Sequence, residues 1–247
     1  MKKILTIILA LILALSLFAE DRCFVLCYHS FTGSAKNGYD ISTDLLKQQI
    51  SILKEKGFKF VTFNELKENK IKGAKNILVT IDDGYLSSYK AYKEIMKPAG
   101  IKPIFAIYPS AIKENSKFYM SWKEVIELSN EPGVTIASHG LNHEKMNSSF
   151  YNKNSEKFKK EIYESKKILE EKTGKKVEIF VYPYGINSPE AQKIIAEAGY
   201  INAYTINWGS LKLPISSNEN LFKLPRYMLT QKDWETEFNI IFSKSKN

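Results

Sequence analysis

The sequence predicts a single α/β domain built as a (β/α) barrel with about seven parallel strands. Short apolar runs alternate along the chain with longer amphipathic segments. Near-continuous apolar strands separated by helices are typical of a parallel sheet that is covered on both faces. No linker rich in Pro, Gly or Ser interrupts this alternation, and no internal repeat is visible. Residues 20–247 are therefore predicted to form one domain.

The strand candidates are apolar runs of five or six residues. They lie at 23–28, 58–62, 77–81, 103–108, 134–138, 177–182 and 201–206. Cys23 and Cys27 are the two cysteines of the chain, and both lie in the first run. Four residues along a strand separate Cα atoms by about 13 Å, whereas a disulfide needs less than about 7 Å. We therefore expect two unpaired core thiols.

The helix candidates are the amphipathic segments between these runs. They lie at 43–56, 86–97, 122–128, 154–173, 189–198 and 231–243. In the fourth segment Phe158 and Ile162 fall on one helical face, while lysines and glutamates fill the other. Glycine follows several of the segments, as at Gly57 and Gly174, where a helix commonly ends with a left-handed residue.

Residues 1–19 have the pattern of a secretory signal peptide. Lys2 and Lys3 precede an uncharged, mostly apolar run of 16 residues that ends at Ala19. A helix of that length reaches about 24 Å, which is short of the roughly 30 Å hydrocarbon core of a membrane. We expect cleavage near Ala19, export to the periplasm, cell surface or medium, and no stable membrane span afterwards. An uncleaved anchor is the alternative.

Composition excludes several classes of protein. An aromatic content of 13% is too high for a disordered chain, and two cysteines are too few for a disulfide scaffold. Removing Lys2 and Lys3 lowers the formal charge from +9 to +7. This excess suits either an anionic polymer or simple solubility. Because the lysines are scattered and no recognition motif is present, nucleic acid is not an expected partner.

Polar side chains that could bind a metal follow two of the predicted strands. Asp82 and Asp83 come after the run at 77–81, and His139 and His143 follow the run at 134–138. The carboxyl ends of parallel strands meet at one edge of the sheet. A carboxylate and two imidazoles fit a three-ligand metal site. Taken separately, the histidines could be a surface coincidence and the Asp-Asp-Gly a helix-capping turn.

These residues carry a resemblance to a known family. The chain has Thr-Ile-Asp-Asp-Gly at 80–84, Ser-His-Gly-Leu-Asn-His at 138–143 and Tyr-Pro-Tyr-Gly at 182–185. In order and spacing they resemble the first three motifs of the polysaccharide deacetylases, carbohydrate esterase family 4. The resemblance covers residues 24–226. It implies a distorted (β/α) barrel and a divalent metal, with zinc as the first candidate. It also implies removal of acetyl groups from an N-acetylated polysaccharide.

Carried over by position, the resemblance implies a role for each motif residue. Asp82 resembles the catalytic base, and Asp83, His139 and His143 resemble the metal ligands. The backbone N–H of Tyr184 would hold the oxyanion together with the metal. One such donor is typically worth about 3–4 kcal/mol in the transition state.

The sequence departs from the family pattern in two places. Val181 stands where the third motif usually carries an arginine that orients the base, and no histidine follows His143 to serve as the general acid. His29 could be that acid or could position the base, and Arg226 could supply the missing positive charge. The alternatives are a histidine satisfied by backbone groups and a surface ion pair.

The substrate is predicted from the same motifs. A histidine directly after the first strand and the Tyr-Pro-Tyr-Gly motif resemble the branch that acts on poly-β-1,6-N-acetylglucosamine, a biofilm polymer. Tyr182 and Pro183 are candidate substrate contacts, and Trp208 is the candidate apolar wall for the acetyl methyl group. A peptidoglycan or chitooligosaccharide deacetylase and a non-catalytic carbohydrate-binding protein are the alternatives. The oligomeric state is left open by the sequence.

Overall fold

A computed structural model describes residues 20–34 and 38–246 of the chain. The predicted signal segment at 1–19 lies outside the described residues, so its cleavage stays a prediction. Within the described ranges, no helix combines the length and the apolar character needed to cross a membrane.

One mostly parallel sheet gathers the strands of the described residues. They are β1 (Arg22–Tyr28), β2 (Lys59–Val61), β3 (Asn76–Ile81), β4 (Ile104–Ile107), β5 (Thr135–Ser138), β6 (Ile179–Val181), β7 (Asn202–Tyr204), β8 (Leu211–Lys212) and β9 (Tyr227–Met228). The main order is β7-β6-β5-β4-β3-β1-β8, with only β8 antiparallel. β2 pairs with the first half of β3 and β4 with its end. The sheet curls into a half-barrel, which confirms the predicted fold class.

Helices connect the strands and cover the outside of the sheet. They are α1 (Thr43–Glu55), α2 (Phe63–Lys67), α3 (Leu86–Ala91), α4 (Trp122–Asn130), α5 (Ser148–Lys153), α6 (Ser155–Thr173), α7 (Pro189–Glu197) and α8 (Trp234–Lys244). Side chains cap several helix starts: Asn154, for example, accepts a hydrogen bond from the N–H of Lys157 at the start of α6. The left-handed Gly174 ends the same helix.

The segment 224–228 bridges the edge strand β7 and the strand β1. The N–H of Thr205 donates to the carbonyl of Leu224 at 2.8 Å, and the N–H of Leu224 donates to the carbonyl of Ala203 at 2.9 Å. A few residues later β9 pairs in parallel with the end of β1. Arg226 lies between these two pairings, and its side chain is completely buried.

Side chains alternate between two apolar layers along each strand. On β1, Phe24 and Leu26 join the layer under the helices, whereas Cys23 and Val25 join the layer inside the barrel. Successive side chains of a strand point to opposite faces, so the interior set also contains Cys27. The polar groups of the site project from the carboxyl end of this interior layer.

The predicted elements differ from the structure mainly in their ends. All seven predicted strands are present, and each of their ends lies within two residues of its expected position. The two-residue strands β8 and β9, the five-residue helix α2 and the six-residue helix α5 were not predicted, because such short elements carry too little periodicity. Both cysteines are free and buried, as expected.

Candidate active site

Asp82 and Arg226 form a buried, two-pronged ion pair just beyond β3. Arg226 Nη1 donates to Asp82 Oδ1 at 2.8 Å, and Nη2 donates to Oδ2 at 2.9 Å. Nη1 also donates to Thr80 Oγ1 at 2.9 Å, and Nε donates to the carbonyl of Thr205 at 2.8 Å. All three nitrogens of the guanidinium group therefore donate hydrogen bonds. A surface ion pair, the alternative for Arg226, does not fit a side chain with no exposed area.

The guanidinium also sets the charge of the carboxylate. Burial alone would raise the pKa of Asp82, but the adjacent Arg226, together with His139 and His29, holds the pKa below its ordinary value. Asp82 is consequently ionised and fixed in orientation at neutral pH. A carboxylate in that state can accept a proton.

Asp83, His139 and His143 converge on one point beside this pair. Asp83 Oδ1 lies 3.4 Å from His139 Nε2 and 3.3 Å from His143 Nε2. The two Nε2 atoms are 3.2 Å apart. Three ligand atoms of a tetrahedral zinc ion, with bonds of about 2.0–2.2 Å, lie about 3.3 Å from one another. The three side chains thus have the spacing of a single-metal ligand set.

The surroundings of these atoms fit a cation as well. Asp83 Oδ1 is buried and accepts no hydrogen bond from the residues that the structure describes. Burial alone would lower the pKa of His139, but the carboxylates of Asp82 and Asp83 raise it above its ordinary value. His139 Nδ1 lies 2.7 Å from the carbonyl of Val181. Because a carbonyl only accepts, Nδ1 carries a proton, so in the neutral ring the free lone pair lies on Nε2.

Glu161, on α6, holds the loop between the two histidines. Its Oε2 accepts from the N–H groups of Leu141 at 2.9 Å and Asn142 at 2.8 Å, and its Oε1 accepts from Asn142 Nδ2 at 2.7 Å. The loop passes so close that a Cβ at Gly140 would lie 3.0 Å from Glu161 Oε2. Sequence reasoning missed Glu161, although it lies one residue before Ile162 on the apolar face of the helix. A carboxylate on such a face needs a partner.

Backbone strain is concentrated on the site. Apart from two asparagines, the non-glycine residues with positive φ in the described ranges are Asp83 (φ 74°), His143 (φ 63°) and Tyr184 (φ 58°). Asp and His tolerate this region better than most residues, so the usual cost of about 1–3 kcal/mol applies mainly to Tyr184. Such residues cluster where function requires a particular side-chain direction. Here all three belong to the predicted site.

His29 follows β1 and approaches the base. A ring nitrogen of His29, Cys27 Sγ and an Asp82 oxygen all lie within 4.8 Å of one another. The His29 ring stacks on Tyr39 with centroids 5.1 Å apart. Burial lowers the pKa of His29 below its ordinary value despite the carboxylates nearby. Its Nδ1 is buried without a hydrogen-bond partner among the described residues, which does not fit the alternative of a histidine satisfied by backbone.

The predicted base, ligands and charge partner line one cavity of about 120 Å³. Its lining contains His29, Asp82, Asp83, His139, His143, Tyr182, Tyr184 and Arg226. Ile206 and Met228 supply an apolar wall that the sequence analysis missed. Trp208 was the predicted wall, but it lies outside the lining, is 57% exposed and stacks on Tyr227. Since β7 ends at Tyr204, Trp208 belongs to the loop that follows the strand.

The residues of the third motif have different surroundings. Tyr182 is fully buried and donates its hydroxyl to the carbonyl of Phe222 at 3.0 Å. Pro183 is buried, does not line the cavity and lies behind the histidine loop. Tyr184 is 53% exposed, and its ring centroid lies 4.6 Å from that of His143. Tyr184 is therefore the member of this motif best placed to meet a ligand.

Sequence comparison assigns this arrangement to a family. The family model described as polysaccharide deacetylase matches residues 69–203, more than half of the chain. The Bacillus subtilis (strain 168) protein YxkH, provisionally named a polysaccharide deacetylase, is 24% identical over 206 residues. That match covers 82% of this chain and 69% of YxkH.

Solved structures share the fold. IcaB from Ammonifex degensii superimposes with a TM-score of 0.77 at 23% identity, covering 92% of this chain and 98% of that one. A de-N-acetylase from Aggregatibacter actinomycetemcomitans superimposes with a TM-score of 0.74 at 20% identity, covering 90% of this chain and 100% of that one. At these identities the likeness concerns the fold.

Proposed function

The chain belongs to the polysaccharide deacetylase family, and on that premise we propose that it is an exported, metal-dependent deacetylase of N-acetylglucosamine in a polysaccharide. Hydrolysis of an amide bond follows from family membership. The observation that carries the finer proposal is the convergence of Asp83, His139 and His143 beside the Asp82–Arg226 pair.

A divalent cation would be held by Asp83, His139 and His143. Zinc is the first candidate because imidazole nitrogen and carboxylate oxygen at tetrahedral spacing are among its preferred ligands. A cation there would make water more acidic and would polarise the acetamide carbonyl. The hydrogen bond from His139 Nδ1 to the Val181 carbonyl keeps the ligating ring in one orientation.

Residues of the chain then accept and donate the protons of the reaction. Water adds to the acetamide carbonyl carbon, and Asp82 accepts the proton that the water loses. The backbone N–H of Tyr184 stabilises the negative charge that develops on the oxygen. His29 in its protonated form gives a proton to the nitrogen, since an amide nitrogen leaves only as an amine; its lowered pKa makes it the stronger acid in that form. The carbon–nitrogen bond breaks, and the products are acetate and a glucosamine residue.

The preferred substrate is poly-β-1,6-N-acetylglucosamine. The histidine that follows β1 and the Tyr-Pro-Tyr-Gly sequence at 182–185 support this choice through their resemblance to the branch acting on that polymer. A protein of the same fold is named a de-N-acetylase. The apolar wall formed by Ile206 and Met228 is suited to an acetyl methyl group.

Export is part of the proposal because the polymer lies outside the cell. It is supported by the signal-like pattern of residues 1–19, with two lysines before an apolar run. Mass measurement of the N-terminus of protein recovered from its natural host would test both cleavage near Ala19 and the location.

Acetate release from defined oligomers tests the proposed activity. We expect mature protein with zinc to release acetate from β-1,6-linked N-acetylglucosamine oligomers faster than from β-1,4-linked oligomers or peptidoglycan fragments. Asp82→Asn protein serves as the inactive control. A reversed order would move the substrate to peptidoglycan or chitooligosaccharide, and no release from any of the three would contradict the proposal.

A further inference from the structure

The catalytic cavity continues into a surface groove along the start of α6. His143 and Tyr184 line the cavity and also the first part of the groove, which has a volume of about 330 Å³. Glu144, Phe150 and Lys153 line this part and also a second part of about 590 Å³. The shared lining residues place the cavity and the two parts of the groove side by side, so the groove lies where the neighbours of the reacting sugar would extend.

Lysines dominate the charge of this path, which we call the lysine groove. Its lysines are Lys145, Lys153, Lys157 and Lys160. Of these four lysines, only Lys160 has a carboxylate of a described residue within 4 Å, that of Glu164 at 3.9 Å. Two acids line the groove, and Glu161 is already engaged by three N–H donors of the histidine loop. Of the two acids in the lining, Glu144 is thus the one left to face the ammonium groups of Lys145, Lys153 and Lys157.

We propose that the lysine groove selects the charge of the sugars beside the one that reacts, accepting N-acetylglucosamine and rejecting glucosamine. This inference rests on the proposed function. An N-acetylglucosamine residue is neutral, whereas hydrolysis converts its acetamide into a primary amine that is cationic when protonated. The groove therefore accommodates stretches of substrate and repels stretches of product.

The size of the effect follows from simple electrostatics. Two like charges about 6 Å apart in water change an equilibrium constant about threefold. One glucosamine that faces two lysines should therefore bind about tenfold more weakly than N-acetylglucosamine, and salt should screen the difference. As a consequence, acetyl groups would be removed at spaced positions along a chain and not consecutively.

Binding of a fully deacetylated oligomer tests the inference without turnover. A β-1,6-linked glucosamine hexamer is titrated into zinc-loaded protein at about pH 6, in about 20 mM and again in about 500 mM salt. We expect Lys153→Glu/Lys157→Glu protein to bind the hexamer at least about tenfold more tightly than wild type at low salt. The difference in affinity between the variant and wild type should be smaller at high salt. Equal affinities, or no binding to either protein, would overturn the inference.

The same helix provides a matched control. Lys175 and Lys176 are exposed and follow the other end of α6, about 28 Å away along its axis. Lys175→Glu/Lys176→Glu makes the same change in net charge and should leave the affinity within about twofold of wild type. If the affinity of this control for the hexamer increases as much as that of the groove variant, the increase is due to net charge and not to the groove, and the inference is wrong.

Product analysis separates this inference from the proposed function. During partial deacetylation of an N-acetylglucosamine octamer, wild type should give spaced glucosamine residues, and the groove variant should give adjacent ones. If wild type releases acetate but produces adjacent glucosamine residues, the inference is wrong and the proposed function still stands. No acetate release would contradict the proposed function, and the glucosamine titration would still decide the charge selection.

Discussion

Arg226 lies 144 residues after Asp82 in the sequence and donates two hydrogen bonds to its carboxylate, at 2.8 and 2.9 Å. The family motif usually carries its arginine at the position of Val181, which here is a buried side chain inside the barrel. The positive charge comes instead from the segment that bridges β7 and β1. The proposed base thus owes its orientation to the closure of the barrel.

Arg226→Lys should lower the rate of acetate release by about 10- to 100-fold, because an ammonium group cannot reproduce a two-pronged contact and a misplaced base is costly. Zinc content should stay near that of wild type. Arg226→Met should also lower the free energy of unfolding by about 3–5 kcal/mol, since it leaves Asp82 buried without its partner. Arg22→Lys, at the only other arginine of the chain, is the control. An unaltered rate in Arg226→Lys would remove Arg226 from the mechanism.

Asp82→Asn and His139→Ala should separate the base from the metal site. Asp82→Asn should keep zinc but lose turnover by about 10²- to 10⁴-fold, the usual contribution of a positioned base. His139→Ala removes a ligand and should lose both zinc and turnover. Bound zinc and acetate release are measured on the same samples, with exposed Asp44→Asn as the control. Full activity in either site variant would contradict the assignment.

His29→Ala should lower the rate of acetate release by about 10²-fold or more if His29 supplies the proton to the amine. Zinc content should change little, because His29 is not one of the three converging ligands. Tyr39→Phe keeps an aromatic ring against His29 and should keep most of the activity. A rate in His29→Ala equal to wild type would give His29 a purely structural role.

Glu161→Gln should weaken zinc binding by about 10- to 100-fold, as is typical when a group that supports metal ligands is changed. The amide can no longer accept from every N–H of the loop, so His143 loses part of its support. Competition with a chelator gives the zinc affinity. Glu164→Gln, one turn further along the same helix and more exposed, should behave as wild type. Equal affinities in the two variants would contradict the role of Glu161.

Gly185→Ala should destabilise the protein more than Gly199→Ala does. Both glycines have positive φ, where an alanine costs about 1–2 kcal/mol. A Cβ at Gly185 would also collide with Ile206, whereas a Cβ at Gly199 meets nothing within 4 Å. Overpacking typically adds about 1–3 kcal/mol. Urea denaturation of the two variants measures the difference, and equal losses would show that the approach of Ile206 is unimportant.

The fold could be predicted because its strands are long enough to show a pattern. The ends of β3 and β5 also predicted where Asp82, Asp83, His139 and His143 would meet, since strand ends share one edge of a parallel sheet. The position of Arg226 depends on β9, a strand of two residues. Such a strand has no periodicity to read, so sequence reasoning could name Arg226 as a charge but could not place it.

The apolar wall of the cavity shows a second limit of prediction from the sequence. Strand alternation holds only while the chain stays in the sheet. β7 ends at Tyr204, so the different surroundings of Ile206 and Trp208 are set by loop contacts. Glu161 shows the opposite case: its place on the apolar face of α6 was a readable signal that the charged composition of the helix obscured.

Zinc titration of metal-stripped protein tests the central claim most directly. Acetate release from β-1,6-linked N-acetylglucosamine oligomers is followed as zinc is added back in fractions of an equivalent. Since the potential ligand atoms of Asp83, His139 and His143 converge on one point, we expect activity to be absent at the start, to rise linearly and to level off at about one zinc per chain. Full activity of the stripped protein before any zinc is added would contradict the account.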